Sequence, residues 1–61
     1  MIQFKDTKGN FWVFTKSNVI LIYRTPKNEN GIVHVEVTTT TGNSYSFDIN
    51  WNDKDCIREG Q

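Results

Sequence analysis

Residues with high helix propensity are almost absent from this chain of 61 residues. It contains no Ala and a single Leu, Leu21, although these two residue types are among the best helix formers. Val, Ile, Thr, Phe, Tyr and Trp supply most of the middle of the chain, and these residues suit a pleated, half-buried surface. The composition therefore predicts an all-β protein.

Alternation of apolar and polar side chains places five strands along the sequence. The alternating segments are residues 1–6, 11–15, 19–25, 32–40 and 45–51, with turns rich in Gly, Asn and Pro between them. Short turns between successive strands predict up-and-down pairing. We therefore expect a five-stranded antiparallel meander, curled into a small SH3-like or open barrel.

The length of the chain predicts one small β domain over residues 1–61, because a chain of this size has room for one modest core. The alternation stops in a tail over residues 52–61, where we expect either one short helical turn or a frayed end. The predicted core is the apolar face shared by the first, fourth and fifth strands. Its members are Ile2, Phe4, Val33, Val35, Val37, Tyr45, Phe47, Ile49 and Trp51.

The second and third strands carry more apolar side chains than one core face can use. Phe11 and Val13 alternate with Trp12 and Phe14, and Val19, Leu21 and Tyr23 alternate with Ile20 and Ile22. An uncovered apolar patch is typical of a binding site, so we predict that Trp12, Phe14, Ile20 and Ile22 bind a partner. Alternatively, these residues form a central hairpin that the tail seals through Ile57.

The charge balance narrows the class of partner. Seven basic and seven acidic side chains give a net charge of zero, whereas proteins that bind nucleic acid without sequence preference concentrate Lys and Arg. A polybasic cluster for anionic membranes is also lacking, and the longest apolar run, Val19 to Tyr23, is too short to span a bilayer. The start lacks the pattern of a signal peptide, and Cys56 is unpaired, so we expect a cytoplasmic protein.

Residues that could support catalysis or metal binding are few. His34 is the only imidazole and shares a strand face with Glu36, which is typical of a solvated face and falls short of a metal site. Cys56 lies near Asp53 and Asp55, whose carboxylates disfavour a thiolate nucleophile. We therefore expect no catalytic residue, no metal and no cofactor.

These observations predict a non-enzymatic protein-binding module whose partner is another protein or a second copy in a homodimer. The frequent Asn, Lys, Ile, Phe and Tyr have AT-rich codons, and with the small size this suggests a phage- or mobile-element-encoded modulator of a host protein. The alternative is a small β-barrel that binds single-stranded nucleic acid. That surface would combine aromatic and basic side chains: Phe11, Trp12, Phe14, Lys16 and Arg24.

Overall fold

The computed structural model of the protein describes residues 1–60 and confirms the all-β class. Its strands are β1 (Ile2–Lys5), β2 (Phe11–Phe14), β3 (Val19–Arg24), β4 (Ile32–Thr39), β5 (Ser44–Asn50) and β6 (Ile57–Glu59), with a single 3-10 turn at Lys16–Asn18. The first five agree with the predicted segments to within about one residue at each end, because turn residues delimit each alternating run.

The strands form two three-stranded antiparallel sheets, with strand orders β2-β1-β6 and β3-β4-β5. An isolated antiparallel bridge between Asp6 and Ile49 links the end of β1 to β5. A single five-stranded meander is not confirmed, because β2 and β3 are consecutive in sequence but lie in different sheets. An SH3-like barrel is not confirmed either, since the two sheets do not close.

The prediction of a helical turn or frayed end is wrong for Ile57–Glu59, which form β6 and pair with β1. The chain reverses just before this strand, where Oδ1 of Asp53 accepts the N–H of Asp55 at 2.9 Å. The N–H of Lys5 in β1 then donates to the carbonyl of Cys56 at 3.0 Å. A strand of three residues is too short for alternation to reveal. Gln61, the last residue of the predicted tail, lies outside the described residues.

The core lies between the inner faces of the two sheets. Phe4 of β1 meets Phe47 of β5 edge-on, with ring centroids 5.2 Å apart. The buried apolar residues are Ile2, Phe4, Val33, Val35, Val37, Phe47, Ile49 and Cys56. Seven of these eight were predicted from alternation, and burial of Cys56 follows from the position of β6 beside β1.

Two predicted core residues are largely outside it. Trp51 is 45% exposed because β5 ends at Asn50 and the chain turns there. Tyr45 is 37% exposed because it lies near the start of β5, where its ring packs beside Trp12 and Phe14 at the margin of the core. Alternation placed Tyr45 in the correct strand and Trp51 one residue beyond its end, because the pattern does not show where a strand stops or which part of it is covered.

Candidate functional site

The two faces of β2 are assigned by its register with β1. Trp12 lies opposite Phe4 and Phe14 lies opposite Ile2, and directly opposed residues share one face of a sheet. Trp12 and Phe14 are therefore half-buried and pack against the core. The expectation that they form the outer surface is wrong, because the packing of sheet on sheet, which alternation does not encode, selected this face.

The outward face of β2 instead carries Phe11 and Val13, whose side chains are 60% and 52% exposed. Their cross-strand neighbours on β1 are Lys5 and Gln3. These two exposed apolar residues belong to an edge strand, since β2 pairs only with β1 in its sheet. A partner bound on this face would contact Phe11 and Val13, which alternate in sequence with the predicted binding residues Trp12 and Phe14.

The third strand does not extend this surface. A register shift between Val19 and Leu21 interrupts its pairing with β4, so that Ile20 and Leu21 are both exposed. Ile22 packs against the core. Of the four side chains predicted to bind a partner, Ile20 alone is mostly exposed, at 65%, so the four do not form one exposed apolar surface. That these residues take part in binding remains a prediction.

A groove of about 470 Å³ runs between β2 and the β4–β5 hairpin. Its aromatic part is a group of three rings, in which Tyr45 lies 6.2 Å from Trp12 and 5.7 Å from Phe14 between ring centroids. The remaining lining is apolar or neutral and polar. The full lining is Phe11, Trp12, Val13, Phe14, Thr15, Asn18, Thr39, Thr40, Thr41 and Tyr45.

The Trp12 ring is held on two sides. It stacks on Phe47, with centroids 4.8 Å apart and planes 9° from parallel, and its Nε1 donates to Oδ2 of Asp6 at 3.0 Å. The other carboxylate oxygen of Asp6 accepts the backbone N–H groups of Lys8 and Asn10 in the β1–β2 turn. The Trp12 hydrogen bond, followed by these backbone bonds, lowers the pKa of Asp6. The groove wall is therefore pre-formed.

The lining of the groove is uncharged throughout the described residues. Near one end, the hydroxyls of Thr39 and Thr41 lie 2.8 Å apart, and Asn43 Nδ2 donates to Thr41 Oγ1 at 3.1 Å. Rings and hydroxyls suit an uncharged ligand segment, because the lining holds no ionised side chain that could pair with a charge on the ligand.

Edge strands normally carry features that prevent unwanted pairing, such as charges, Pro or a bulge. The other edge strands within residues 1–60 carry such features: β3 has a bulge and Arg24, β5 has Asp48, and β6 has Arg58 and Glu59. By contrast, β2 has the sequence Phe-Trp-Val-Phe, without a charge or Pro. It is therefore the unprotected edge of the described structure.

Backbone groups of Phe11 and Val13 are directed away from β1. The N–H of Asp6 donates to the carbonyl of Asn10 at 2.9 Å at the base of the hairpin. Hydrogen-bonded and non-hydrogen-bonded pairs alternate along an antiparallel ladder, so Trp12 and Phe14 bond to β1, whereas Phe11 and Val13 do not. In agreement, Lys5, which lies opposite Phe11, donates its N–H to β6.

The residues considered for chemistry lie elsewhere. His34 Nδ1 and Asp48 Oδ1 are 2.8 Å apart on neighbouring strands, with about half of each side chain exposed. Sequence reasoning paired His34 with Glu36 along one strand; the antiparallel register brings Asp48 opposite it instead. Burial and, second, the charge of Asp53 raise the pKa of the Cys56 thiol.

Within residues 1–60, no group of three or more His, Cys, Asp and Glu side chains is arranged to hold a metal ion. No helix in this range is long and apolar enough to cross a membrane. In comparisons with known proteins, no family model, curated protein or solved structure matches the chain.

Proposed function

We propose that the protein is a non-enzymatic protein-binding module that accepts an extended segment of its partner along the edge of β2. The observation that carries this proposal is the unprotected β2 edge, where Phe11 and Val13 have both outward backbone groups and exposed side chains. Addition of a strand to an exposed sheet edge is a common mode of peptide recognition. Main-chain hydrogen bonds contribute affinity in this mode, and alternate side chains contribute specificity.

The two faces of the added strand would meet different surfaces. Side chains directed inward would lie over the groove, against Trp12, Phe14 and Tyr45. Side chains directed outward would lie beside Phe11 and Val13. The segment that fits is extended, uncharged and apolar at alternate positions.

We also propose that the two sheets form an open barrel, in which this groove is the seam between β2 and β5. The Asp6–Ile49 bridge supports this description.

The alternative, binding of single-stranded nucleic acid, is favoured by the aromatic rings of the groove, on which bases could stack. It also requires cations along the backbone path. Among the described residues, none that lines the groove is cationic. Lys16, predicted to belong to such a surface, is paired with Glu59 at 3.0 Å, and Arg24 lines other clefts. Protein binding is therefore the stronger proposal.

The non-enzymatic and cytoplasmic parts of the proposal rest on Cys56 and on the sequence. The raised pKa keeps this buried thiol protonated and therefore poorly nucleophilic. An unpaired thiol also suits a reducing compartment. A phage or mobile-element origin is supported by the small size and by the frequent Asn, Lys, Ile, Phe and Tyr, whose codons are AT-rich; a host protein as target is part of the same proposal.

The proposal is tested by selecting binders from a displayed library of random peptides and titrating the selected peptides into ¹⁵N-labelled protein. We expect enriched sequences with β-branched and aromatic residues, and amide shifts centred on Phe11 to Phe14. Val13→Lys should abolish binding, whereas the matched variant Val13→Thr should retain it, because both keep the backbone but only one places a charge at the edge.

Two outcomes would contradict the proposal. One is the absence of selectable peptides, or shifts confined to residues outside β2 and the groove. The other is saturable binding of an oligothymidylate with steep salt dependence and shifts in the groove, because the salt dependence reports phosphate contacts and would favour the nucleic-acid alternative.

A further inference from the structure

We propose that a second copy of this chain is a partner of the β2 edge, joined β2 to β2 in antiparallel orientation about a two-fold axis at Trp12. The β2-β1-β6 sheet of one copy and the same sheet of the second copy would then form one six-stranded sheet across the dimer. This inference rests on the proposed function, because it uses the same edge and names its occupant.

The hydrogen-bonding pattern of β2 is complementary to itself in one register. When Trp12 lies opposite Trp12 of the second copy, Phe11 of each chain lies opposite Val13 of the other. Both residues direct their N–H and C=O groups away from β1, toward the free edge of the sheet. Each Phe11–Val13 pair therefore exchanges both N–H···O bonds. Registers centred on Phe11 or on Val13 would pair only one of these residues. The register centred on Trp12 pairs the backbone groups of both Phe11 and Val13.

The side chains agree with the same register. Phe11 and Val13 lie on the outer face of the sheet and are 60% and 52% exposed in one copy. In the dimer each Phe11 would lie directly beside Val13 of the second copy, and a pair of an aromatic and a β-branched residue is favourable across strands. Two-fold symmetry requires a patch that pairs with itself, and β2 supplies two equivalent pairs.

Electrostatics favour β2 over the other edges for self-association. The strand is uncharged, so the two copies bring no like charges together at the seam. Self-pairing through β3, β5 or β6 would bring duplicate copies of Arg24, Asp48, or Arg58 and Glu59 into the new interface. Like charges on facing strands are destabilising.

The short contact predicts a reversible dimer. Four residues of β2 contribute from each copy, and interfaces below about 1,200 Å² are typical of weak or transient complexes. We therefore expect monomer and dimer to exchange with concentration. A free peptide that binds the same edge would compete with dimer formation.

Sedimentation equilibrium over a wide range of protein concentration tests the association. We expect the average mass to rise from 7.1 kDa toward twice that value. Val13→Lys should weaken association by about tenfold or more, because a charge on an edge strand opposes pairing. Leu21→Lys is the matched control: Leu21 is 59% exposed on another edge strand, and its replacement should leave the association constant unchanged.

The register is tested by nuclear Overhauser spectroscopy. Residues two apart along one strand are separated by about 6.6 Å, so a strong cross peak between the amide protons of Phe11 and Val13 must arise between copies. We expect this peak in concentrated protein and its loss on dilution. A synthetic chain with N-methyl Val13, which lacks the outward N–H without gaining a charge, should be monomeric.

A monomer at all concentrations, or a dimer that Leu21→Lys disrupts and Val13→Lys does not, would overturn the second-copy inference. A dimer without the Phe11–Val13 cross peak would overturn its register. A monomeric protein that still binds selected peptides at β2 would refute the dimer and leave the proposed function standing. Loss of both peptide binding and dimerisation would refute both.

Discussion

The indole Nε1 of Trp12 donates a 3.0 Å hydrogen bond to Oδ2 of Asp6, and this bond ties the groove wall to the β1–β2 turn. The same carboxylate accepts the backbone N–H groups of Lys8 and Asn10. Folding of the hairpin and orientation of the Trp12 ring therefore depend on one ionised side chain. A change at Asp6 is expected to affect both the stability of the protein and the binding of any ligand that lies against the Trp12 ring.

Stability should decrease in acid, in part through Asp6. Its pKa is lowered in the folded protein, first by the Trp12 hydrogen bond, so the unfolded chain takes up the proton at higher pH than the folded one. The stabilisation is present above the unfolded pKa and is lost as pH falls through the folded pKa. We expect the Tm of Asp6→Asn to be lower at neutral pH and to fall less in acid.

Thermal melts of the wild type and of Asp6→Asn from neutral pH down to acid check this expectation. Some acid dependence should persist in the variant, because the pKa of Asp53 is also lowered, first by the N–H of Asp55 and then by Lys5. Parallel Tm curves for the two proteins over the acid range would show that Asp6 does not contribute.

Trp12→Ala should mainly lower stability, whereas Phe11→Ala should mainly weaken association. Trp12 packs against the core, so its removal should cost about 2–3 kcal/mol, somewhat less than the loss of a fully buried aromatic. Phe11 is 60% exposed, and its removal should change the free energy of unfolding by less than about 0.5 kcal/mol while weakening association. Denaturant unfolding and sedimentation measure the two effects; a stable Trp12→Ala protein would contradict the observed face of β2.

Gly31→Ala should destabilise the protein more than Gly42→Ala. Both glycines have positive φ, +80° and +86°, and a non-glycine residue there costs about 1–2 kcal/mol. At Gly31 a Cβ would also lie 2.5 Å from Nδ2 of Asn52, so that this exposed side chain would have to rotate away, whereas nothing lies within 4 Å at Gly42. Chemical denaturation of both variants and of Gly31→Ala/Asn52→Ala tests the clash: the double variant should recover the difference. Equal losses for the two single variants would disprove it.

Cys56→Ser should destabilise the protein by about 1–3 kcal/mol, because a hydroxyl would replace a thiol that is 7% exposed beside apolar side chains. Cys56→Ala is the control for lost volume and should cost less. Because burial raises the pKa of the thiol, native protein should react slowly with a thiol reagent and denatured protein quickly. Rapid labelling of native protein would indicate that β6 does not cover Cys56.

Much of the secondary structure was predictable because its causes are local. The alternation of Val33, Val35 and Val37 identified both β4 and its buried face. The side chains between them are polar, so only one face of the strand could be buried. In β2 both sets are apolar, so Phe11 and Val13 could not be distinguished from Trp12 and Phe14. The unprotected edge could be identified only from the strand order, which places β2 at the edge of its sheet.

The sequence by itself determined the all-β class, five of the six strands and most of the core, because composition and a period of two act within each strand. Only the tertiary structure decided which face of β2 is buried, that Cys56 and β6 complete the sheet beside β1, and that Asp48 meets His34. These features depend on contacts between residues distant in sequence, and such contacts leave no periodic signal in either segment alone.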